Sequence, residues 1–129
     1  MMDFKDLVGK LVGFCGVDNS ALCLSINGKR HAFEAVEDES DGYRSMMEEV
    51  RSVPLTGHVF LRSPIVQVQL EDDDEANFSG YRLVDPMSGH VWLRFGTDHA
   101  DDYYPTFLFQ YDPPHRCECR YCGKFMKDS

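Results

Sequence analysis

The sequence has few basic residues. Its 13 lysines and arginines are outnumbered by 22 aspartates and glutamates, which gives a formal net charge of −9. The imbalance is concentrated in residues 36–112, which carry sixteen acidic residues and only five arginines. Because phosphate binding needs clustered lysine and arginine, this segment would repel nucleic acid. Direct nucleic-acid binding by this part of the chain is not expected.

The chain also lacks a long apolar run. No stretch approaches the ~20 apolar residues of a membrane-spanning helix, and the N-terminus has no apolar segment of signal-peptide length. The five cysteines are an odd number, and three of them fall within residues 117–122, which does not fit a secreted disulfide framework. These absences predict a cytoplasmic protein without membrane contact.

Motifs of the common enzyme classes are absent as well. There is no glycine-rich phosphate loop, dinucleotide-binding fingerprint or acyl-transfer motif. A catalytic interpretation has to begin at His99, which the neighbouring aspartates could turn into a general base. No serine or cysteine nucleophile lies in the same loop, so no catalytic residue is assigned. A small hydrolase or transferase, either metal-dependent or built on His99, is kept as an alternative.

What the chain does contain is a series of short apolar segments with the two-residue alternation of β-strands. The segment IVQVQLE, from residue 65, predicts a strand with its apolar face buried and its polar face outward. Asn27-Gly28 predicts a type I′ hairpin turn, because both residue types accept positive φ. Cys15 and Cys23 fall in apolar strands and are interpreted as small core residues. Trp92 alternates with Leu93 and is expected near a rim.

One helix is predicted among these strands. Asp41 suits an N-cap, and Tyr43, Met46, Met47 and Val50 follow at helical spacing. The expected fold is α+β and mostly β: an antiparallel twisted sheet of seven or eight strands. The sheet forms a sandwich or an open barrel, with one short helix packed on it.

Two acid-rich segments are the most distinctive surface features. Residues 71–75 are consecutive acids that repel one another and are expected in a solvated loop, without the ligand spacing of a calcium loop. The connection from residue 96 to 105 is acidic and ends in tyrosines, a combination that suits a protein interface. The alternative is a solvated surface with tyrosines that only cover the barrel end. The predicted partner-binding residues are Asp72, Asp73, Asp74, Asp98, His99, Asp101, Asp102, Tyr103 and Tyr104.

The last seventeen residues differ from the rest, so the chain divides into a β-rich domain, residues 1–112, and a Cys/His-rich tail, residues 113–129. Residues 119–124, CRYCGK, match a zinc knuckle, in which two thiolates two residues apart bind one ion. The predicted ligands of a structural zinc are His115, Cys117, Cys119 and Cys122. Four ligands in eight residues need a cramped loop, so a ligand from the body or from a second copy in a homodimer could complete the site. The other alternative is a basic tail with reduced thiols.

Several short motifs resemble a family of small phage and bacterial proteins known only as a domain of unknown function. They are VGKLV from residue 8, SPIV from residue 63, GYRL from residue 80, WLRFG from residue 92 and DDYYP from residue 101. The resemblance covers residues 7–113. It implies a compact β-rich accessory protein of a mobile element, and it brings no reaction and no catalytic residue.

Charge and resemblance together favour a non-enzymatic function. The expectation is a small acidic protein that binds a protein partner and inhibits a host defence or nucleic-acid-handling complex. Its acidic surface would engage a basic groove, as a nucleic-acid mimic does. Besides the enzyme built on His99, a zinc-knuckle module whose basic tail contacts nucleic acid is an alternative.

The zinc hypothesis is tested by elemental analysis of protein expressed in zinc-replete medium. We expect about one zinc ion per chain, with zinc–sulfur distances of about 2.3 Å by X-ray absorption. Replacing Cys119 and Cys122 with serine should remove the metal, whereas Cys23→Ser, which removes a thiol predicted to lie in the core, should leave it in place. Far less than one zinc ion in the unmodified protein would contradict the hypothesis.

Overall fold

The fold is described from a computed structural model, which covers residues 4–18, 21–37, 44–50, 58–60, 62–73, 75, 77–98 and 106–112. Within these residues the chain forms one turn of 3-10 helix, Phe4–Leu7, followed by nine strands. The strands are β1 (Leu11–Asp18), β2 (Ala21–Ile26), β3 (Lys29–Glu37), β4 (Arg44–Val50), β5 (His58–Val59), β6 (Ile65–Asp73), β7 (Phe78–Val84), β8 (Val91–Asp98) and β9 (Thr106–Tyr111).

The strands form a single antiparallel sheet in the order β4-β3-β2-β1-β6-β7-β8-β9, and the short β5 pairs with β1. The first three strands are a meander, as the sequence predicts. Their second turn has Asn27 at φ 53° and Gly28 at φ 80°, which confirms the predicted hairpin turn. The described residues thus contain two sets of consecutive hairpin strands joined through β1 and β6.

The sheet buries one of its faces by curling. Edge strand β4 lies against β8 and β9, which form the opposite edge region, and no backbone pairing joins β4 to β9 among the described residues. The result is an open barrel whose inner face carries the core. The predicted fold class, a mostly β antiparallel sheet of this kind, is confirmed.

The 3-10 helix fills the centre of the barrel. The Phe4 ring is fully buried, and its centroid lies 5.3 Å from that of Phe33, 5.0 Å from Tyr81 and 5.1 Å from Phe95. Edge-to-face pairs of this kind contribute about 0.5–1.5 kcal/mol each beyond the area they bury. Leu7, one turn later, is buried as well. This helix therefore joins β3 on one side of the barrel to β7 and β8 on the other.

The helix predicted from Asp41 to a point before Pro54 is wrong for residues 44–50, because Arg44–Val50 is strand β4, and the rest of it lies outside the described residues. Strand β4 pairs along β3 from Glu37 opposite Arg44 to Ala32 opposite Val50, with a bulge on the way. Helix propensity differs by only ~0.7 kcal/mol per residue among ordinary residues, whereas an unpaired strand edge leaves a whole row of backbone groups without partners. Pairing with β3 therefore determines the conformation of residues 44–50. The only helical segment among the described residues is the 3-10 turn.

Trp92 is also placed differently from the prediction. Leu83 pairs with Leu93 and Val84 with Val91, so Trp92 is the extra residue of a β-bulge. A bulge breaks the alternation of faces, and it turns Trp92 inward beside Leu93. The indole is only 5% exposed, with its centroid 5.3 Å from the Phe60 ring. The expectation of a rim position was wrong because sequence alternation does not show bulges.

The acid run also departs from expectation, because β6 continues to Asp73 and only later residues follow the strand. The predicted loop is therefore wrong for residues 71–73. Asp72 lies opposite Ser79 and accepts a hydrogen bond from its hydroxyl at 3.3 Å. As successive residues of a strand, Glu71 and Asp72 point to opposite faces, which separates their charges. The predicted burial of Leu70 is also wrong, since its side chain is 57% exposed.

The backbones of β7 and β8 approach each other closely at Gly80 and Gly96, which face each other. A Cβ added at Gly80 would lie 2.7 Å from the Gly96 Cα and would clash with the Phe95 carbonyl oxygen. The Phe78 ring covers the pair, 3.0 Å from a Cβ built at Gly96. The two strands can keep this register only while both positions lack side chains.

We predict that Gly80→Ala lowers the free energy of unfolding by about 2–3 kcal/mol, because the added methyl group meets backbone atoms that cannot rotate away. Gly13→Ala is the matched control, since its Cβ would lie 3.0 and 3.1 Å from the Cβ atoms of Ser63 and Ser25 and 3.6 Å from the Ser25 carbonyl oxygen, all longer than its distance to the Gly96 Cα in Gly80→Ala. The free energy of unfolding should fall by less in Gly13→Ala than in Gly80→Ala. Urea unfolding measures both losses, and equal values would contradict the account of this strand contact.

Candidate functional site

The described parts of the two acid-rich segments lie at the same end of the sheet. Asp73 pairs with Phe78, Phe78 pairs with Asp98, and Asp98 pairs with Thr106 across β6, β7, β8 and β9. Neighbouring strands are about 4.8 Å apart, so the backbones of Asp73 and Asp98 are separated by roughly 10 Å. We call this end, with Asp72, Asp73, Glu75 and Asp98, the acid end. The strand register joins acids that are far apart in the sequence.

Three of the predicted partner-binding residues lie at the acid end. Asp72 is exposed, Asp73 ends β6, and the half-buried Asp98 ends β8. The other predicted partner-binding residues lie outside the described residues: Asp74, His99, Asp101, Asp102, Tyr103 and Tyr104.

The predicted zinc ligands His115, Cys117, Cys119 and Cys122 belong to residues 113–129, which also lie outside the described part. Within the residues that the structure does describe, no group of three or more His, Cys, Asp or Glu side chains could hold a metal ion. The zinc site of the tail therefore stays a prediction.

A second polar cluster covers the outer face of the sheet beside the acid end. Arg82 on β7 lies directly opposite Arg94 on β8. Gln69 on β6 and Gln110 on β9 extend this row, one on each side. Like charges placed directly opposite each other destabilise a sheet. The arginine pair therefore needs an explanation from its surroundings.

Arg94 is held by an anion and by an aromatic ring. Its Nε donates a hydrogen bond of 2.6 Å to Glu71 Oε2, and its Cζ lies 4.1 Å from the centre of the Phe78 ring. The side chains of Arg94 and Glu71 are 31% and 21% exposed. A charge-assisted bond and a cation–π contact fix the guanidinium and offset its charge.

Arg82 has a different partner. Its Nε donates to Gln69 Oε1 at 2.8 Å, and the Gln69 amide donates in turn to Gln67 Oε1 at 3.1 Å. Among the described residues no carboxylate forms an ion pair with Arg82. The Arg82 guanidinium is therefore oriented by neutral amides, and no ion pair among the described residues offsets its positive charge.

The two arginines border a shallow cavity of about 210 Å³. We call it the arginine pocket, and its lining residues are Glu71, Arg82, Val91, Arg94, Gln110 and Asp112. The backbone of Asp112 is fixed at its rim. The Asp112 N–H donates to the Trp92 carbonyl oxygen at 2.7 Å, and His90 Nε2 donates to the Asp112 carbonyl oxygen at 2.7 Å.

The sequence analysis did not predict the arginine pocket. The alternating polar positions of residues 67–71 mark one outward face, and this is the available sequence indication. That Arg82 lies opposite Arg94 depends on the register of β7 and β8. A hairpin register cannot be read from residue types when the strand contains a bulge.

Cys15 and Cys23 are buried, as predicted. Cys15 is the bulge residue of β1, because Phe14 pairs with Leu24 and Gly16 pairs with Cys23. Hydrogen bonds from Cys23 and from Ser63, the latter at 3.4 Å, lower the pKa of the Cys15 thiol. The same thiol pair raises the pKa of Cys23, and burial adds to that rise. These thiols belong to the wall of the barrel, away from the acid end.

Comparison with known proteins gives no match: no family model, no curated protein and no solved structure matches this chain. The resemblance to a phage and bacterial family stays a prediction, and no residue role is transferred from elsewhere. Across the described residues, no helix has the length and apolar character needed to cross a membrane. The argument for function rests on the site geometry.

The ion pair on the outer face is tested with a double-mutant cycle. Glu71→Gln and Arg94→Gln, made singly and together, should show a coupling energy of about 1 kcal/mol in urea unfolding at low salt. The coupling should fall as salt is added, because the pair is partly exposed. A matched cycle on Gln67 and Gln69, which are joined by a neutral hydrogen bond, should not depend on salt. Zero coupling between Glu71 and Arg94 would contradict the assigned contact.

Proposed function

We propose that this protein is a non-enzymatic binding protein whose acid end docks onto a basic surface of a protein partner. The observation that carries the proposal is the strand register that sets Asp73 beside Phe78 and Phe78 beside Asp98. It gathers two separate acid-rich segments at one end of one sheet. The sequence adds Asp74 to the first connection and the pair Asp101 and Asp102 to the second.

Folding alone does not account for this arrangement. Acids gathered at neighbouring strand ends repel one another, and each such contact lowers stability rather than raising it. Solubility requires net charge, but it does not require that charge to lie at one end of the sheet. A concentrated negative field does have a use in association, because it speeds encounter with a basic partner and rejects acidic ones.

The class of partner follows from the charge. Proteins that handle nucleic acid expose basic grooves, and a compact acidic surface can occupy such a groove in place of phosphates. The resemblance to proteins of mobile elements supports a host defence or nucleic-acid-handling complex as the target, with inhibition as the outcome. We propose the cytoplasm as the site of action, where such complexes work. The enzyme built on His99 and the zinc-knuckle module stay alternatives.

The proposal is tested with two variants of equal charge. Asp72→Asn combined with Asp98→Asn removes two charges from the acid end. Asp6→Asn combined with Glu34→Gln removes two exposed charges elsewhere. The partner is first captured from host lysate with the unmodified protein, and its association rate is then measured for each variant. The acid-end variant should associate roughly tenfold more slowly at low salt.

Thermal unfolding provides the control for structure. Both variants should remain folded with similar melting temperatures, because the exposed charges of Asp72, Asp6 and Glu34 contribute at most ~1 kcal/mol each and the half-buried Asp98 keeps its shape and polarity as asparagine. Asp101→Ala combined with Asp102→Ala should behave like the acid-end variant. Equal slowing by the two charge-matched variants would mean that only net charge matters and would contradict a defined docking end. Unchanged activity of the captured complex on adding the protein would contradict inhibition.

A further inference from the structure

We propose that the arginine pocket binds a small ligand through its carboxylate group. This site lies on the outer face of β6–β9, behind the acid end, and the proposal does not depend on the identity of a protein partner. Its basis is the arrangement of Arg82 and Arg94, which face each other across adjacent strands and border one cavity.

Hydrogen bonds fix the orientation of both arginine side chains. Each guanidinium uses its Nε for an internal hydrogen bond, to Gln69 in one case and to Glu71 in the other. An arginine has five N–H donors, so the terminal Nη groups keep four donors on each side chain. Among the described residues, no further group accepts a hydrogen bond from these Nη donors. Both guanidinium groups therefore keep hydrogen-bond donors beside the cavity that they line.

The two arginines differ in how their charge is offset. Glu71 offsets Arg94, while Arg82 is held only by a neutral amide. The remaining carboxylate, Asp112, is 77% exposed on its side chain and lies at the rim, where water screens it. The four charged side chains that line the cavity therefore sum to zero, with the uncompensated positive charge at Arg82, whereas the protein as a whole carries a formal charge of −9. An anion that enters meets attraction only at short range.

The donors of the pocket and the acids around it favour a singly charged carboxylate over other anions. A planar carboxylate matches the fork of a guanidinium and can accept two parallel hydrogen bonds. Asp112 and the acid end repel a multiply charged ligand more strongly than a singly charged one. Gln110 offers an amide, and the half-buried Val91 offers an apolar contact for a short carbon chain. The cavity is smaller than the 300–1,000 Å³ of sites for drug-sized molecules, so the ligand has few heavy atoms.

The test uses nuclear magnetic resonance of the arginine Nε–H groups in the full-length protein. Propionate, lactate, inorganic phosphate and chloride are titrated in turn at constant ionic strength. Propionate and lactate should shift the Nε–H signals of Arg82 and Arg94 to saturation. The exposed Arg30 provides the internal control, and its signal should show no saturable change. Signals are assigned from the spectra of the single Arg→Gln variants.

Substitutions of Arg82 then distinguish the two-donor geometry of its guanidinium from its positive charge. Arg82→Gln should abolish saturable binding. Arg82→Lys keeps the charge but loses the fork, and should weaken carboxylate binding about tenfold. Arg30→Gln should bind like the unmodified protein. Circular dichroism shows whether each variant is folded, and the titration of the unmodified protein decides the question if Arg82→Gln does not fold.

Two outcomes would overturn the proposal. Saturation by inorganic phosphate alone would assign the pocket to a phosphate group instead of a carboxylate. Linear shifts of equal size at Arg30, Arg82 and Arg94 would show that the anions act only through general screening.

Discussion

The fold depends on one constraint: the sheet, whose only helical cover among the described residues is one 3-10 turn, must bury its own inner face. Phe4 makes this possible, because its ring contacts Phe33 on one side of the barrel and Tyr81 and Phe95 on the other. Without a side chain at the centre, the walls of so open a barrel would enclose a cavity, and a cavity costs stability in proportion to its volume. The curl of the sheet and the approach of β4 to β8 follow from this filling.

Once the curl is set, the strand register places the functional candidates. The bulge at Trp92 turns the indole into the core beside Phe60 while the register beyond it sets Arg82 opposite Arg94. Continuing along the same strands, Phe78 meets Asp98 at the acid end. Trp92, the acid end and the arginine pocket therefore all depend on the register of one hairpin, β7 and β8. A slip of one residue in that hairpin would exchange its faces and remove both clusters.

The parts of this structure that the sequence predicts are those with local causes. Alternation identifies strands such as β6, and Asn27-Gly28 identifies its turn. The errors have non-local causes. Residues 44–50 form a strand because β3 offers an edge, and Trp92 is buried because of a bulge. The arginine pocket requires a cross-strand register, and residue types do not contain that information. The acidic segments were visible in the sequence, but their meeting at one end was not.

Departures from ordinary sheet chemistry are concentrated on β6, β7 and β8. Consecutive acids occupy the end of β6, two arginines oppose each other, and Gly80 faces Gly96 where strands usually carry β-branched or aromatic residues. Strands β1 to β3 show fewer departures: β1 has the Cys15 bulge and Glu34 on β3 lies opposite Glu48 on β4, but the inner faces are apolar and the turn is well suited. Natural sequences depart from such rules mostly where function requires it. The Gly80–Gly96 contact and the arginine pair lie on the same outer face of β7 and β8, and this is an argument for function there that is independent of net charge.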